Sequence, residues 1–144
     1  MMELRKKMEQ ALAPRVYPGM PDTANQQTVL VVEDEAIIRM STVAVLEDAG
    51  YGVFEAQNGN QALEQLAQHA EIGILLTDVR MPGRMNGLAL VSRVQRDYPA
   101  IRAIVMSAHT TAAEANEAGA LGFVLKPYMP QTVIRAVRDT VLRH

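Results

Sequence analysis

Three short apolar runs in this 144-residue chain end in charged residues. The charged residues that follow these runs are Glu33 and Asp34, then Asp78, then Lys126. Bounded apolar runs rich in β-branched residues are typical of buried strands. In an open parallel sheet, the carboxyl ends of the strands line the crevice where ligands bind. Carboxylates that converge there are costly to bury unless a cation and an anion join them. The pattern therefore predicts a site for a divalent metal ion and a phosphoryl group.

The composition suits one globular domain with one core. Hydrophobic residues make up 49% of the chain, charged residues make up 21%, and the net charge is −2. Because nucleic-acid binding depends on clustered Lys and Arg, we expect no nucleic-acid partner. The chain has no cysteine, which excludes disulfides and thiolate metal sites. No apolar run is long enough to span a membrane, and the N-terminus has no secretory signal, so we expect a cytoplasmic protein without membrane contact.

The chain is predicted to consist of an N-terminal tail at 1–27 and a domain at 28–144. Within the tail, Met1–Leu12 has the spacing of a short amphipathic helix, which is marginal in isolation, so we expect a flexible or loosely docked segment. From residue 28 onward, strand and helix patterns alternate five times. The predicted strands are 28–32, 51–55, 72–77, 101–106 and 122–125, and the predicted helices are 36–49, 58–70, 88–98, 111–118 and 130–143. Such units require right-handed crossovers and a parallel sheet covered on both faces.

The motifs of this domain resemble those of response-regulator receiver domains of bacterial two-component signalling. In the family's order, they are Val31-Val-Glu-Asp-Glu35, Asn58-Gly-Asn-Gln-Ala-Leu63, Leu76-Thr-Asp-Val-Arg-Met-Pro82 with Met85-Asn-Gly87, Met106-Ser-Ala108 and Gly122-Phe-Val-Leu-Lys-Pro127. Each motif alone is weak, since acids are common at helix starts and a single lysine is usually a solvated surface residue. Together the motifs are specific. The resemblance implies an α/β, flavodoxin-like, doubly wound sheet of five parallel strands in the order 2-1-3-4-5, with five helices.

The resemblance also implies roles for the charged residues. Asp78 is expected to accept a phosphoryl group, and Lys126 is expected to pair with the phosphoryl oxygens. A magnesium (or manganese) ion would be held by Asp34, Asp78 and the backbone carbonyl of Arg80. Glu33 would act on the same ion directly or through water.

The resemblance also implies that other residues take part in switching and set the lifetime of the phosphoryl group. Ser107 is expected to donate a hydrogen bond to that group, and Phe123 stands at the position of the family's switch aromatic. A phenyl ring can swing inward but has no hydroxyl to form a hydrogen bond. Arg80 and His109 flank the phosphoryl group in the family and are expected to tune its hydrolysis. The peptide bond between Lys126 and Pro127 is expected to be cis.

The implied function is a phosphoacceptor switch rather than a classical enzyme, with self-phosphorylation and autodephosphorylation as its only reactions. A histidine kinase or phosphotransfer protein would supply the phosphoryl group, and output would pass by protein contact to an unknown target. We expect a monomer or a phosphorylation-dependent dimer. The loop between Pro82 and Met85 is one residue longer than is commonest in the family, which resembles receivers attached to or partnered with hybrid histidine kinases. We therefore expect a receiver of the stand-alone or hybrid-kinase-like type.

Two other classes of protein stay open at this point. One is a pseudo-receiver scaffold that binds partners without being phosphorylated. The complete set of acids, hydroxyl and lysine argues against it, because a scaffold does not need them. The other is a flavodoxin-type cofactor binder. This class requires a phosphate-binding loop after the first strand, where the acids of 33–35 would repel a phosphate in the absence of a metal ion.

Overall fold

Strands and helices alternate through residues 27–142, the part of the chain that the computed structural model describes. The strands are β1 (Thr28–Val32), β2 (Gly52–Ala56), β3 (Ile72–Asp78), β4 (Arg102–Ser107) and β5 (Gly122–Leu125). The helices are α1 (Ala36–Asp48), α2 (Gly59–Gln68), α3 (Gly87–Asp97), α4 (Ala112–Ala118) and α5 (Pro130–Leu142). All ten predicted elements are present within one or two residues of their predicted bounds. The predicted tail, apart from residue 27, lies outside the described residues, and the division at 27/28 stays a prediction.

The five strands form one parallel sheet in the order β2-β1-β3-β4-β5, which confirms the predicted fold class. The strand order reverses beside β1, and this reversal opens a crevice at the carboxyl ends of β1 and β3. In the register of the sheet, Val32 lies beside Thr77, and Asp78 lies beside Met106. Because these strands end together, the residues that follow them come to one edge of the sheet.

Buried apolar side chains cover both faces of the sheet. Leu30 and Leu75 point to the face covered by α2, α3 and α4, while their neighbours Val31 and Leu76 point to the face covered by α1 and α5. This alternation explains why the strands are apolar at nearly every position. Full burial of each such side chain contributes about 1.5–3 kcal/mol to folding, so the two clusters hold the strand ends in place. None of the helices in this part of the chain combines the length and apolarity that crossing a membrane requires.

Local capping signals determine where several helices begin. Asn86 caps α3 by accepting a hydrogen bond from the Ala89 N–H at 2.9 Å, and Thr111 forms a capping box with Glu114 at the start of α4. By contrast, Glu35 precedes α1 without a side-chain cap. The acidic loop before α1 is therefore not explained by helix capping.

The backbone approaches itself closely where α3 begins beside the end of β3. The Gly87 N–H donates to the Val79 carbonyl oxygen at 2.8 Å. A Cβ added at Gly87 would lie 1.9 Å from the carbonyl oxygen of Asp78, which is far inside van der Waals contact. Glycine is required here because backbone lies against backbone. The contact fixes the loop between β3 and α3 against the strand end that carries Asp78.

We predict that Gly87→Ala destabilises the protein, because the new methyl group overlaps a backbone atom that cannot move independently. Overpacking of this kind typically costs about 1–3 kcal/mol. Gly73→Ala is the matched control, since among the described residues its Cβ would meet only the Gln27 side chain, at 3.9 Å. Urea denaturation followed by circular dichroism should show a lower midpoint for Gly87→Ala and an unchanged or slightly higher midpoint for Gly73→Ala. Equal midpoints in the two variants would contradict the prediction.

Candidate functional site

The structure brings together the charged residues that follow β1, β3 and β5. Carboxylate oxygens of Glu33, Asp34 and Asp78 lie within 4.8 Å of one another. The Lys126 ammonium nitrogen lies 2.7 Å from Oε1 of Glu33 and 3.2 Å from Oδ2 of Asp78. Among residues 27–142, one ammonium group therefore faces three acids.

Two adjacent acids in the loop after β1 differ sharply in exposure. Glu33 is fully buried, whereas Asp34 is exposed at the mouth of the site. The Glu33 N–H donates to the Ala56 carbonyl at 3.0 Å, and this bond extends the pairing of β1 with β2 by one residue. The Glu33 carbonyl accepts a hydrogen bond from Nη1 of Arg39 at 2.8 Å. The backbone of Glu33 is thus held on both sides, while Asp34 remains accessible to an ion from solvent.

Burial and crowding shift the pKa values of the two residues that form the shortest ion pair. Burial, together with the charge of Asp78, raises the pKa of Glu33 from 4.5 to about 7, although the hydrogen bond from Lys126 opposes this shift. Burial alone would lower the pKa of Lys126, but the hydrogen bond to Glu33 and the charge of Asp78 outweigh it and raise that pKa. Near neutral pH, Lys126 is therefore charged while Glu33 is readily protonated. Among the described residues, the site therefore contains fewer ammonium groups than carboxyl groups.

The carboxylate of Asp78 is held in one orientation by the backbone of the next residue and by Lys126. Its Oδ1 accepts a hydrogen bond from the Val79 N–H at 2.7 Å, and its Oδ2 faces Lys126. The Thr77 hydroxyl donates to the Asp78 carbonyl oxygen at 2.8 Å. Only 8% of Asp78 is exposed. The result is a carboxylate that is fixed in direction and paired with an ammonium group, yet still reachable from the crevice.

Ser107 ends β4 with its hydroxyl folded into the loop that follows. The hydroxyl oxygen accepts hydrogen bonds from the N–H groups of His109 at 3.1 Å and Thr110 at 2.9 Å, and the residue is 3% exposed. Both bonds use Ser107 as an acceptor, so its own hydrogen is still available for donation. The Ser107 carbonyl accepts from the Lys126 N–H at 2.9 Å. The peptide between Lys126 and Pro127 is cis, as predicted.

The remaining predicted site residues lie outside the charged cluster. Phe123 is half-buried and packs against the apolar cluster under α2, α3 and α4. Arg80 and His109 are exposed, and neither forms an ion pair with another residue in the range 27–142. Within residues 27–142, the structure shows no hydrogen bond or ion pair between these three side chains and the acids.

Sequence reasoning missed three residues that support the site. Arg39 bonds the Glu33 carbonyl and also pairs with Glu55, with 3.0 Å between its Nε and the Glu55 carboxylate. The hydroxyls of Thr42 and Tyr128 lie 2.8 Å apart. The only sequence signal for Thr42 was a polar residue within the inward stripe of α1. Nothing in the local sequence around Arg39 or Tyr128 indicated their partners.

A family model and several known proteins match the sequence of this chain. The sequence model described as response regulator receiver domain matches residues 29–138. The chemotaxis protein CheY of Thermotoga maritima is 36% identical over 113 residues, which cover 76% of this chain and 92% of that protein. The sensor kinase CckA of Brucella abortus is 34% identical over 122 residues, which cover 82% of this chain. The aligned segment makes up only 13% of CckA, so the chain spans a small part of that longer relative. The same holds for the DNA-binding transcriptional regulator NtrC of Escherichia coli, of which 22% is covered at 37% identity.

Solved structures resemble this fold over most of its length. The chemotaxis response regulator CheY4 of Vibrio cholerae has a TM-score of 0.72 at 31% identity, covering 80% of this chain and 98% of that one. A putative response regulator from Chloroflexus aurantiacus has a TM-score of 0.74 at 29% identity, with 81% and 98% covered. The likeness therefore extends over nearly the whole of both of those chains.

The raised pKa of Glu33 predicts how stability depends on pH in the metal-free protein. Between about pH 5 and 7, the native state binds more protons than the unfolded state, so the free energy of unfolding falls as pH rises. Lys126 stays protonated throughout this range and adds nothing to the slope. Glu33→Gln removes the titrating group and should flatten the profile, whereas Glu64→Gln, on the exposed side of α2, should leave it unchanged. Urea titrations with EDTA present would measure this, and a slope that persists in Glu33→Gln would exclude Glu33 as its source.

Proposed function

Because this chain belongs to the response regulator receiver family, we propose that it is a phosphoacceptor switch of two-component signalling that carries the phosphoryl group on Asp78. One observation supports this assignment above the others. The Lys126 ammonium lies between the carboxylates of Glu33 and Asp78, with the third acid at the mouth of the crevice. Such a cluster is costly for a protein that never binds an anion and a cation there.

The proposed reaction transfers a phosphoryl group from the ring nitrogen of a phosphohistidine. A carboxylate oxygen of Asp78 forms a bond to phosphorus, the bond between phosphorus and nitrogen breaks, and the electron pair stays on the imidazole. The product is an acyl phosphate. During the transfer, Lys126 exchanges its contacts with carboxylates for contacts with the phosphoryl oxygens. There its positive charge stabilises the negative charge of the transition state. In the second half of the cycle, a water oxygen forms a bond to phosphorus and the bond between phosphorus and the Asp78 oxygen breaks, so that inorganic phosphate leaves and the Asp78 carboxylate is restored.

The donor set fits a hard divalent cation, which we propose to be magnesium or manganese. Three carboxylates within 4.8 Å of one another offer the oxygen ligands that such ions prefer. Asp34 and Asp78 would bind the ion with the backbone carbonyl of Arg80, and Glu33 would act directly or through water. When bound, the ion neutralises charge on the phosphoryl oxygens. The shortage of positive charge in the cluster is independent support, because Lys126 balances only one of the three acids.

Receiver domains take their phosphoryl group from histidine kinases, and we propose a histidine kinase or phosphotransfer protein as the donor for this chain. The site is suited to a protein donor because α1, which follows the acidic loop, carries large apolar side chains on its surface. Ile37 is 81% exposed and Met40 is 65% exposed. Exposed apolar side chains of this kind favour contact with another protein. The downstream target is proposed to be a protein as well.

Ser107 and Phe123 are proposed to relay the phosphorylated state. Phosphorylation adds about two negative charges and strong acceptors beside the Ser107 hydroxyl, whose hydrogen is free to be donated. Movement of Ser107 toward the phosphoryl group would break its bonds to the N–H groups of His109 and Thr110 and draw that loop inward. Phe123, half-buried at present, could then rotate into the vacated space. Arg80 and His109, exposed at the rim, are proposed to set the rate of hydrolysis.

A pseudo-receiver scaffold is not favoured by the same geometry. A scaffold would be more stable with apolar residues in place of a buried Glu33 beside Asp78, because an incompletely balanced buried charge destabilises the fold. A flavodoxin-type cofactor binder is not favoured either, since acids stand where its phosphate loop would lie.

Asp78→Asn should abolish phosphorylation without unfolding the protein, because the amide has the shape of the carboxyl but is not a nucleophile. We expect acetyl phosphate with magnesium to add one phosphoryl group to the wild type and none to Asp78→Asn, as measured by intact mass. Asp97→Asn, an exposed substitution on α3, is the control and should keep the adduct. An adduct in Asp78→Asn at the wild-type level would place the acceptor elsewhere.

Magnesium should raise the melting temperature of the wild type, because an ion that binds only the native state stabilises it. The gain is RT ln(1 + [L]/Kd), or about 1.4 kcal/mol when the ion is at ten times its Kd. Asp34→Asn should remove most of this gain without disturbing the core, since Asp34 is exposed. Asp48→Asn, at the far end of α1, should keep it. Thermal melts with and without millimolar magnesium test this, and a wild type insensitive to the ion would refute the metal assignment.

A further inference from the structure

We propose that the hydrogen bond between Tyr128 and Thr42 positions Lys126 for phosphoryl transfer. Tyr128 and Thr42 are then positioning residues, which act through Lys126 and do not touch the phosphoryl group. The inference rests on the proposed function, since it concerns how efficiently that site works. It adds a connection between α1 and the loop after β5 that the charged cluster alone does not provide.

The direction of this hydrogen bond follows from the partners of Thr42. Its hydroxyl donates to the Ile38 carbonyl at 2.9 Å, and a hydroxyl has only one hydrogen to donate. The 2.8 Å contact with Tyr128 must therefore be a bond from the Tyr128 hydroxyl to the Thr42 oxygen. Burial raises the pKa of Tyr128 above its ordinary value, so the tyrosine keeps the proton that it donates. The loop after β5 is thus the donor, and α1 supplies the acceptor.

The bond holds the loop that carries Lys126 at a second point. At the strand end, the Lys126 N–H donates to the Ser107 carbonyl at 2.9 Å. Two residues later, Tyr128 attaches the same loop to α1. Because one attachment is at the lysine itself and the other is two residues after it, the starting point of the Lys126 side chain is defined relative to the acids. Thr42 is 2% exposed, so water competes poorly for the bond.

α1 also holds one of the acids that Lys126 faces, Glu33. Arg39, three residues before Thr42 on that helix, bonds the Glu33 carbonyl at 2.8 Å. One rigid helix therefore sets the position of the Glu33 backbone and of the Lys126 loop. A lysine side chain is long and flexible, so its charge is well placed only if its backbone is well placed. Loss of the Tyr128 bond should let the loop drift while the acids stay where they are.

The substitutions Tyr128→Phe and Thr42→Val test the bond because each keeps the shape of the side chain and removes a hydroxyl. With saturating magnesium and acetyl phosphate, we expect Tyr128→Phe to be phosphorylated about fivefold more slowly, the size of one neutral hydrogen bond. We expect Thr42→Val, which also loses its bond to the Ile38 carbonyl, to react at least as slowly. The double variant should be no slower than the slower single variant, because both changes break the same bond. Tyr51→Phe is the control: this partly buried tyrosine packs in the same apolar cluster as Tyr128. It should react at the wild-type rate.

A second measurement separates positioning of Lys126 from general loosening of the fold. Magnesium alone reports on the acids, whereas the phosphoryl mimic beryllofluoride also requires Lys126. Tyr128→Phe should therefore bind magnesium like the wild type and bind beryllofluoride about fivefold more weakly, the same neutral hydrogen-bond increment as above. Equal weakening of both ligands would show a general structural effect and overturn the inference.

Two other outcomes are also decisive. If Tyr128→Phe matches the wild type in both rate and beryllofluoride affinity, the inference fails while the proposed function stands. If the wild type itself neither forms an adduct nor binds beryllofluoride, the proposed function fails, and the positioning role fails with it.

Discussion

The excess of carboxylates over ammonium groups at one edge of the sheet is the constraint on which the rest of the structure depends. Glu33, Asp34 and Asp78 come within 4.8 Å of one another, and in the described part of the chain Lys126 is the one basic residue that pairs with any of them. Such an arrangement persists only if the surrounding fold is stable enough to hold it. Two apolar clusters, one on each face of the sheet, provide that stability by fixing the ends of β1, β3 and β5.

Much of the fold could be predicted from the sequence because the patterns that indicate strands and helices are local. Each strand is a short apolar run, and each helix has an apolar stripe, so all ten elements were predicted to within two residues. The order of the strands came from the resemblance to a family rather than from periodicity. The meeting of Glu33, Asp78 and Lys126 followed from one rule of parallel sheets, namely that strand ends share an edge.

The supporting contacts could not be predicted, because they join residues that are far apart in sequence. Thr42 and Tyr128 are 86 residues apart, and no pattern in either segment indicates the other. The contrast between a buried Glu33 and an exposed Asp34 was equally hidden, since both are acids in the same loop. The Glu33 N–H bonds the Ala56 carbonyl on the neighbouring strand β2, a contact that nothing in the sequence of the loop indicates.

The two sides of α1 have different contacts, and this difference affects how the sequence of such a protein can change during evolution. Its outer side presents Ile37 and Met40 to solvent, and its inner side bonds the acidic loop through Arg39 and the lysine loop through Thr42. Under the proposed function, this one 13-residue segment would affect both the contact with the donor and the position of the reactive groups. A substitution in α1 that alters contact with a donor would change the speed of the reaction as well whenever it also moves the helix. Specificity and rate would then evolve together in this protein rather than independently.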